Sequence, residues 1–180
     1  MMNIFKNKKA FTVAEMLVVI FIIGLTASIT LVNFRKGERS GGFLLTTEQL
    51  ASDLRKIQTR TIAGLINQTT TLTGGYGFYI TNSQPQQYIL FNDDGDLIFD
   101  AETDNVLETI VLPIGVTFID FPSDEVTVIF KPPKPTIYSA GDKLLTTISL
   151  YLVDSAVSGK KGLVTLNGLT GRITAELVNN

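Results

Sequence analysis

The sequence predicts an α+β protein: a long hydrophobic N-terminal helix, followed by an amphipathic helix packed on an antiparallel β-sheet head. Three observations lead there. Met16 to Phe34 holds nineteen consecutive positions without a charge. Residues 46–64, TTEQLASDLRKIQTRTIAG, place apolar side chains at helical spacing. Beyond Leu65, short β-branched and aromatic runs alternate with turn residues.

The first element comes from length and patterning. Nineteen residues of helix extend about 28 Å at ~1.5 Å per residue, close to the hydrocarbon thickness of a bilayer. A core helix of that length would show a polar face, and LVVIFIIGL shows none. Thr26, Ser28 and Thr30 interrupt the second half, but a hydroxyl can bond back to the carbonyl one turn earlier. Gly24 is the weak point expected in this helix. Lys6, Lys8 and Lys9 precede the run, whereas Arg35, Lys36 and Arg39 follow it with Glu38 among them. The two flanks nearly balance under the positive-inside rule. A short basic leader ahead of a large C-terminal domain favours the leader inside.

One carboxylate, Glu15, stands at the start of this run. The macrodipole tolerates an acid in the first turns of a helix, and that tolerance leaves the basic KKAFTVAE context unexplained. An ordinary signal peptide cut after Ser28 would release a soluble β-rich domain, yet LVNF continues the apolar run beyond that point. An uncut anchor gives Glu15 no role.

The next segment, FRKGERSGG (34–42), mixes charge with Gly37, Gly41 and Gly42 and predicts a joint over 35–45. The amphipathic helix after it begins with a capping box, Thr46 with Gln49. Its stripe runs through Leu50, Leu54 and Ile57 to Thr61 or Ile62, with Gly64 as the stop. The strand runs are GYGFYI, QYILF, TIVLPIGVTFIDF, EVTVIF, LTTISLYLV, GLVTL and RITAELV. The last two form a hairpin whose turn uses Asn167, Gly168 and Gly171 for positive φ. KPPKP (131–135) is too rich in proline for a central strand and predicts a loop or edge.

Composition bears on chemistry. The chain has 180 residues, no Cys, no His and a net charge of −2. Disulfides, thiolate nucleophiles, Ser-His-Asp triads and zinc hydrolase sites are therefore excluded within it. No enzyme activity and no cofactor are expected. Lys131, Lys134, Lys143, Lys160 and Lys161 could gather into a basic patch, but they lack interleaved aromatics on an acidic chain, so nucleic acid is not an expected partner. NDDGDLIFDAETD (92–104) gathers Asp93, Asp94, Asp96 and Asp100, the side chains a calcium ion would use. Aligned to an EF-hand loop, Leu97 replaces the required Gly and Thr103 the bidentate Glu. The preferred reading is a solvated acidic turn with no metal.

KKAFTVAEMLVVIFIIGL resembles the prepilin signal of type IV pilins and type II secretion pseudopilins. That pattern has a basic leader (here Lys6, Lys8 and Lys9), a small residue (Ala10), a Phe (Phe11), and an acid at the fifth mature position (Glu15) heading an apolar helix. Two departures are Ala10, where Gly is usual, and Val32, where many major pilins carry Pro. LRKIQTRTIA with GYGFYI and YILFNDDGD loosely resembles the GspH and FimT group of minor pilin subunits. The resemblance implies cleavage between Ala10 and Phe11 by a prepilin peptidase, which also N-methylates Phe11. It implies a membrane-inserted precursor with its head outside the cytoplasm, then a filament of like subunits with Glu15 setting register. The domains expected are a leader (1–10), a stalk helix (11–34), a joint (35–45) and a head (46–180). A DNA-uptake minor pilin is the alternative within the same resemblance.

Overall fold

The computed structural model describes residues 11–63, 74–132 and 136–179, with the side chains of 32–36 excepted. The chain divides into two compact units between Glu38 and Arg39. One helix, α1 (Val13–Ile62), contributes to both. The leader, Gly64 and Lys134 lie outside the described residues.

In the first unit, α1 is long and apolar enough over Val13–Leu31 to cross a membrane, and none of that stretch is buried. Its hydroxyls turn inward on the helix as expected. Thr26 Oγ1 donates to Ile22 O (2.9 Å), Ser28 Oγ to Gly24 O (2.8 Å) and Thr30 Oγ1 to Thr26 O (2.8 Å). The helix passes through Gly24 without a break.

The expected joint is not a break in the backbone, because α1 continues through Gly37, Gly41 and Gly42. Glycine weakens a helix without deleting a hydrogen bond, and no Pro lies between 35 and 45 to remove an N–H. The boundary between the two units nevertheless falls inside this stretch. With no helix start at Thr46, the expected capping box is absent. Thr46 Oγ1 donates back to Gly42 O (3.1 Å), and Gln49 Nε2 reaches Asp53.

The second unit is two antiparallel sheets and the C-terminal part of α1. Its strands are β1 (Gly75–Thr81), β2 (Gln87–Asp93), β3 (Asn105–Val111), β4 (Val116–Ile119) and β5 (Glu125–Lys131). They continue with β6 (Thr136–Ser139), β7 (Asp142–Lys143), β8 (Thr147–Asp154), β9 (Lys160–Asn167) and β10 (Ile173–Asn179). Six form a sheet in the order β3-β2-β1-β5-β6-β7, and four a second in the order β10-β9-β8-β4. The single sheet expected from the sequence is thus two. The run TIVLPIGVTFIDF divides at Pro113, which lacks an N–H, and at Gly115, whose φ is +91°. Val116 N closes that corner on Pro113 O (3.0 Å), and the chain leaves the first sheet for the second.

Alternation sorts the strands' side chains. Tyr76, Phe78 and Ile80 of β1, Tyr88 and Leu90 of β2, and Val126, Val128 and Phe130 of β5 enter one core cluster. Phe43, Leu50, Ala51, Leu54 and Ile57 of α1 belong to it, as do Leu152, Val164 and Leu166 of the second sheet. Thr61 is buried at the end of that stripe and donates to Phe130 O (3.2 Å), while Ile62 is exposed. On the opposite face of the first sheet, Phe91 and Ile129 are buried as well. There the 94–104 loop folds back, setting Phe99 against Tyr79 (centroids 4.3 Å) and Phe91 (4.8 Å).

The terminal hairpin pairs Ile173 with Leu166 through Asn179 with Lys160. Of its expected positive-φ residues only Gly171 has one (+69°). Asn167 acts through its side chain, whose Oδ1 accepts from Leu169 N and Thr170 N. Gly168 serves closeness, since a Cβ there would lie 2.3 Å from Leu144 O.

Candidate functional sites

Two groups of side chains draw attention, one in each unit. At the start of α1, Thr12 and Glu15 form a reciprocal cap. Thr12 N and Oγ1 both donate to Glu15 Oε2 (2.9 Å each), and Glu15 N donates to Thr12 Oγ1 (3.2 Å). This is the Thr-x-x-Glu capping box, with Thr12 before the first helical residue and Glu15 three positions on. The signal was present in the sequence as TVAE, next to the stretch read for its membrane character. Both bonds fall on Oε2, and Oε1 accepts none among the described residues. Phe11 is 78% exposed at the head of the apolar face.

The second group is the acidic loop. Asp93 closes β2 with its side chain 2% exposed, and an oxygen of its carboxylate lies within 4.8 Å of one from Asp94 and one from Asp96. Asp93 Oδ1 accepts from Leu97 N (3.1 Å), whereas the buried Oδ2 has no hydrogen-bond partner among the described residues. Burial, then the neighbouring charge of Asp104, pushes Asp93 up to about 7. Asp104 ties the ends of the loop together: its Oδ1 accepts from Asp94 N (3.0 Å) and its Oδ2 from Asp100 N (2.9 Å). Burial raises Asp104 as well, against the lowering effect of those two N–H donors. Asp100, the fourth calcium candidate, stands apart from the three and accepts from Glu102 N (2.8 Å).

Two lysines of the basic reading, Lys161 and Lys131, are engaged by neighbours. Lys161 Nζ lies 3.0 Å from Asp120 Oδ2 and 5.9 Å from the centre of the Tyr151 ring. Lys131 sits over Tyr138 at the same 5.9 Å. Sequence reasoning missed the buried polar pair in the head, where Tyr88 Oη donates to Asp53 Oδ2 (2.6 Å) and Gln49 Nε2 to both Asp53 oxygens. Asp53 lies three residues after Leu50, on the apolar stripe, and that position was the available signal.

Compared with family models, with curated proteins and with solved structures, the chain matches none.

Proposed function

We propose that this chain is a structural subunit, a minor pilin or pseudopilin, of a type IV pilus or type II secretion pseudopilus. The observation that carries the reading is the placement of Glu15, four residues after Phe11, at the head of an apolar stretch of which nothing is buried. A carboxylate near lipid is costly, about 2.5–3.5 kcal/mol at the span centre and less toward an edge, so it is retained where a partner exists. Cleavage between Ala10 and Phe11 creates an α-amino group. On an adjacent parallel helix that amine meets Glu15, and the ion pair fixes the axial register between subunits. Apolar surface left bare along Val13–Leu31 is covered by lipid before assembly and by neighbouring helices after it. The chain is a substrate of the prepilin peptidase and methyltransferase, with no catalysis of its own.

The head reading is supported by the buried stripe on α1. Phe43, Leu50, Leu54 and Ile57 share one core cluster with strand residues of both sheets, and Arg55 Nη2 bonds Ile173 O (3.0 Å). An amphipathic helix on an antiparallel head is the architecture that the resemblance implies.

The test is the mature N-terminus, read by mass spectrometry on protein from its native membrane. N-methyl-Phe11 supports assembly as a pilin-like subunit. A start near Ile29 shows a secreted domain freed from a signal peptide, and a retained Met1 refutes processing altogether.

A further inference from the structure

The 92–104 loop departs from EF-hand spacing, yet its fold brings together what its sequence separates. Three carboxylates, from Asp93, Asp94 and Asp96, converge with oxygens within 4.8 Å of one another. One is not a surface acid. Asp93 is buried, and its Oδ2 receives no donor among the described residues. A buried carboxylate oxygen without a hydrogen bond is costly, and the usual resolutions are a bound proton, a paired cation or a coordinated metal. Among the described residues no Lys or Arg fills that role, the ion pairs there being Lys56–Glu108 and Lys161–Asp120. Beside Oδ2 lies Gly74, where a Cβ would stand only 1.8 Å from that oxygen, so the absence of a side chain leaves this position for the carboxylate.

We propose that Asp93, Asp94 and Asp96 bind a hard divalent cation of the size of calcium. The donors are all oxygens, and the chain has no Cys or His to attract a softer metal. Oxygens about 2.3–2.6 Å from one Ca²⁺ can stand up to roughly 4.6–5.2 Å apart, against roughly 4.0–4.2 Å around Mg²⁺. The three oxygens lie within 4.8 Å of one another, which admits either span, and calcium is favoured because it accepts irregular oxygen loops where magnesium demands near-ideal octahedral geometry. Asp104 acts as a positioning residue, since its two accepted N–H bonds hold Asp94 and Asp100 in the loop. Bound cation would draw the end of β2 to the loop tip and fix the sheet face that Phe99 covers.

The test uses the full chain in detergent, stripped with EDTA and titrated with CaCl₂ to about 10 mM, above the ~1 mM dissociation constants of weak extracellular sites. Calorimetry should show saturable binding, and the head's unfolding temperature should rise with it. Asp96→Asn keeps an oxygen for Ile98 N and removes one charge from an exposed position. It should weaken binding ~10-fold or more, at least the loss that disturbing an outer ligand-orienting group causes. Glu102→Gln, in the same loop but outside the group of three, should bind as the parent does. Absence of saturable heat and of any thermal shift in folded protein would overturn the site. Equal weakening by Glu102→Gln would reduce it to diffuse attraction, and Mg²⁺ binding as tightly as Ca²⁺ would overturn the size assignment.

Discussion

Tyr88 of β2 donates its hydroxyl to Asp53 of α1 across 2.6 Å, and the two residues are 1% and 7% exposed. The bond joins helix to sheet inside the core, with Gln49 as the second donor to the same carboxylate. Burial and the adjacent Asp53 push the Tyr88 hydroxyl well above its ordinary range, so it remains a donor throughout working pH. Tyr88→Phe leaves Asp53 with one donor and should cost about 1.5–3 kcal/mol, the range for hydrogen bonds to charged groups. Urea unfolding of the single variants and of Tyr88→Phe with Asp53→Asn measures the coupling between the residues. A coupling near zero refutes the assignment.

Close approach of α1 to β9 gives a second prediction. A Cβ on Gly162 would meet Thr47 Oγ1 at 2.4 Å and Phe43 Cζ at 3.3 Å. Gly162→Ala should destabilise the head by about 1–3 kcal/mol through overpacking. Adding Thr47→Ala opens the space, so the double variant should be more stable than the two single losses predict when summed.

The Thr12–Glu15 cap separates two roles that one side chain could play. Gln is accepted at the same position of a capping box, so Glu15→Gln should keep the helix start and remove the charge. Amide exchange at residues 13–16 in micelles should be nearly unchanged, while incorporation into filaments falls. Thr12→Ala should do the reverse, weakening the helix start by about 0.5–2 kcal/mol with the acid still present. Normal incorporation of Glu15→Gln would show that Glu15 is a cap and nothing more.

In the presence of EDTA the head should lose stability as the pH rises. Asp93, facing Asp104, Asp96 and Asp94, has a folded value of about 7 against an ordinary 3.8. Between those values the native state holds a proton that the unfolded chain has released. The contribution of Asp93 to stability is therefore greatest below the ordinary carboxylate range and declines as the pH climbs through about 7. Urea midpoints at roughly pH 5 and pH 8 should differ in that direction, and Asp93→Asn should reduce the difference. A midpoint that rises with pH contradicts the burial of this carboxylate.

The parts legible in the sequence were those set by neighbours along the chain. The apolar run and its hydroxyls need only local composition, as do the strand runs. Pairing is not local, and the corner at Pro113–Gly115 shows why two sheets were read as one: LPIG sits inside a continuous apolar stretch, and only the partner strands reveal the exchange. The glycines at 37–42 do not interrupt the helix, since propensity ranks a helix interior without forbidding it. Asp93 looked like a solvated acid because NDDGD is polar. It is buried where β2 ends, at the base of a loop that folds back to seat Phe99 on Phe91 and Tyr79, and that return is not written in local composition.

The uninterrupted passage of α1 through Gly37, Gly41 and Gly42 has a mechanical consequence. Nothing outside the helix lies within 4 Å of where a Cβ would be at any of the three. Each glycine gives up roughly 1 kcal/mol relative to alanine, and no neighbour restores it. Under an axial pull this is where the coil yields first, and each residue that lets go lengthens the chain by roughly 2 Å, from ~1.5 Å of rise to ~3.5 Å of reach. Replacing the three glycines by alanine should therefore raise the force at which this stretch of helix uncoils.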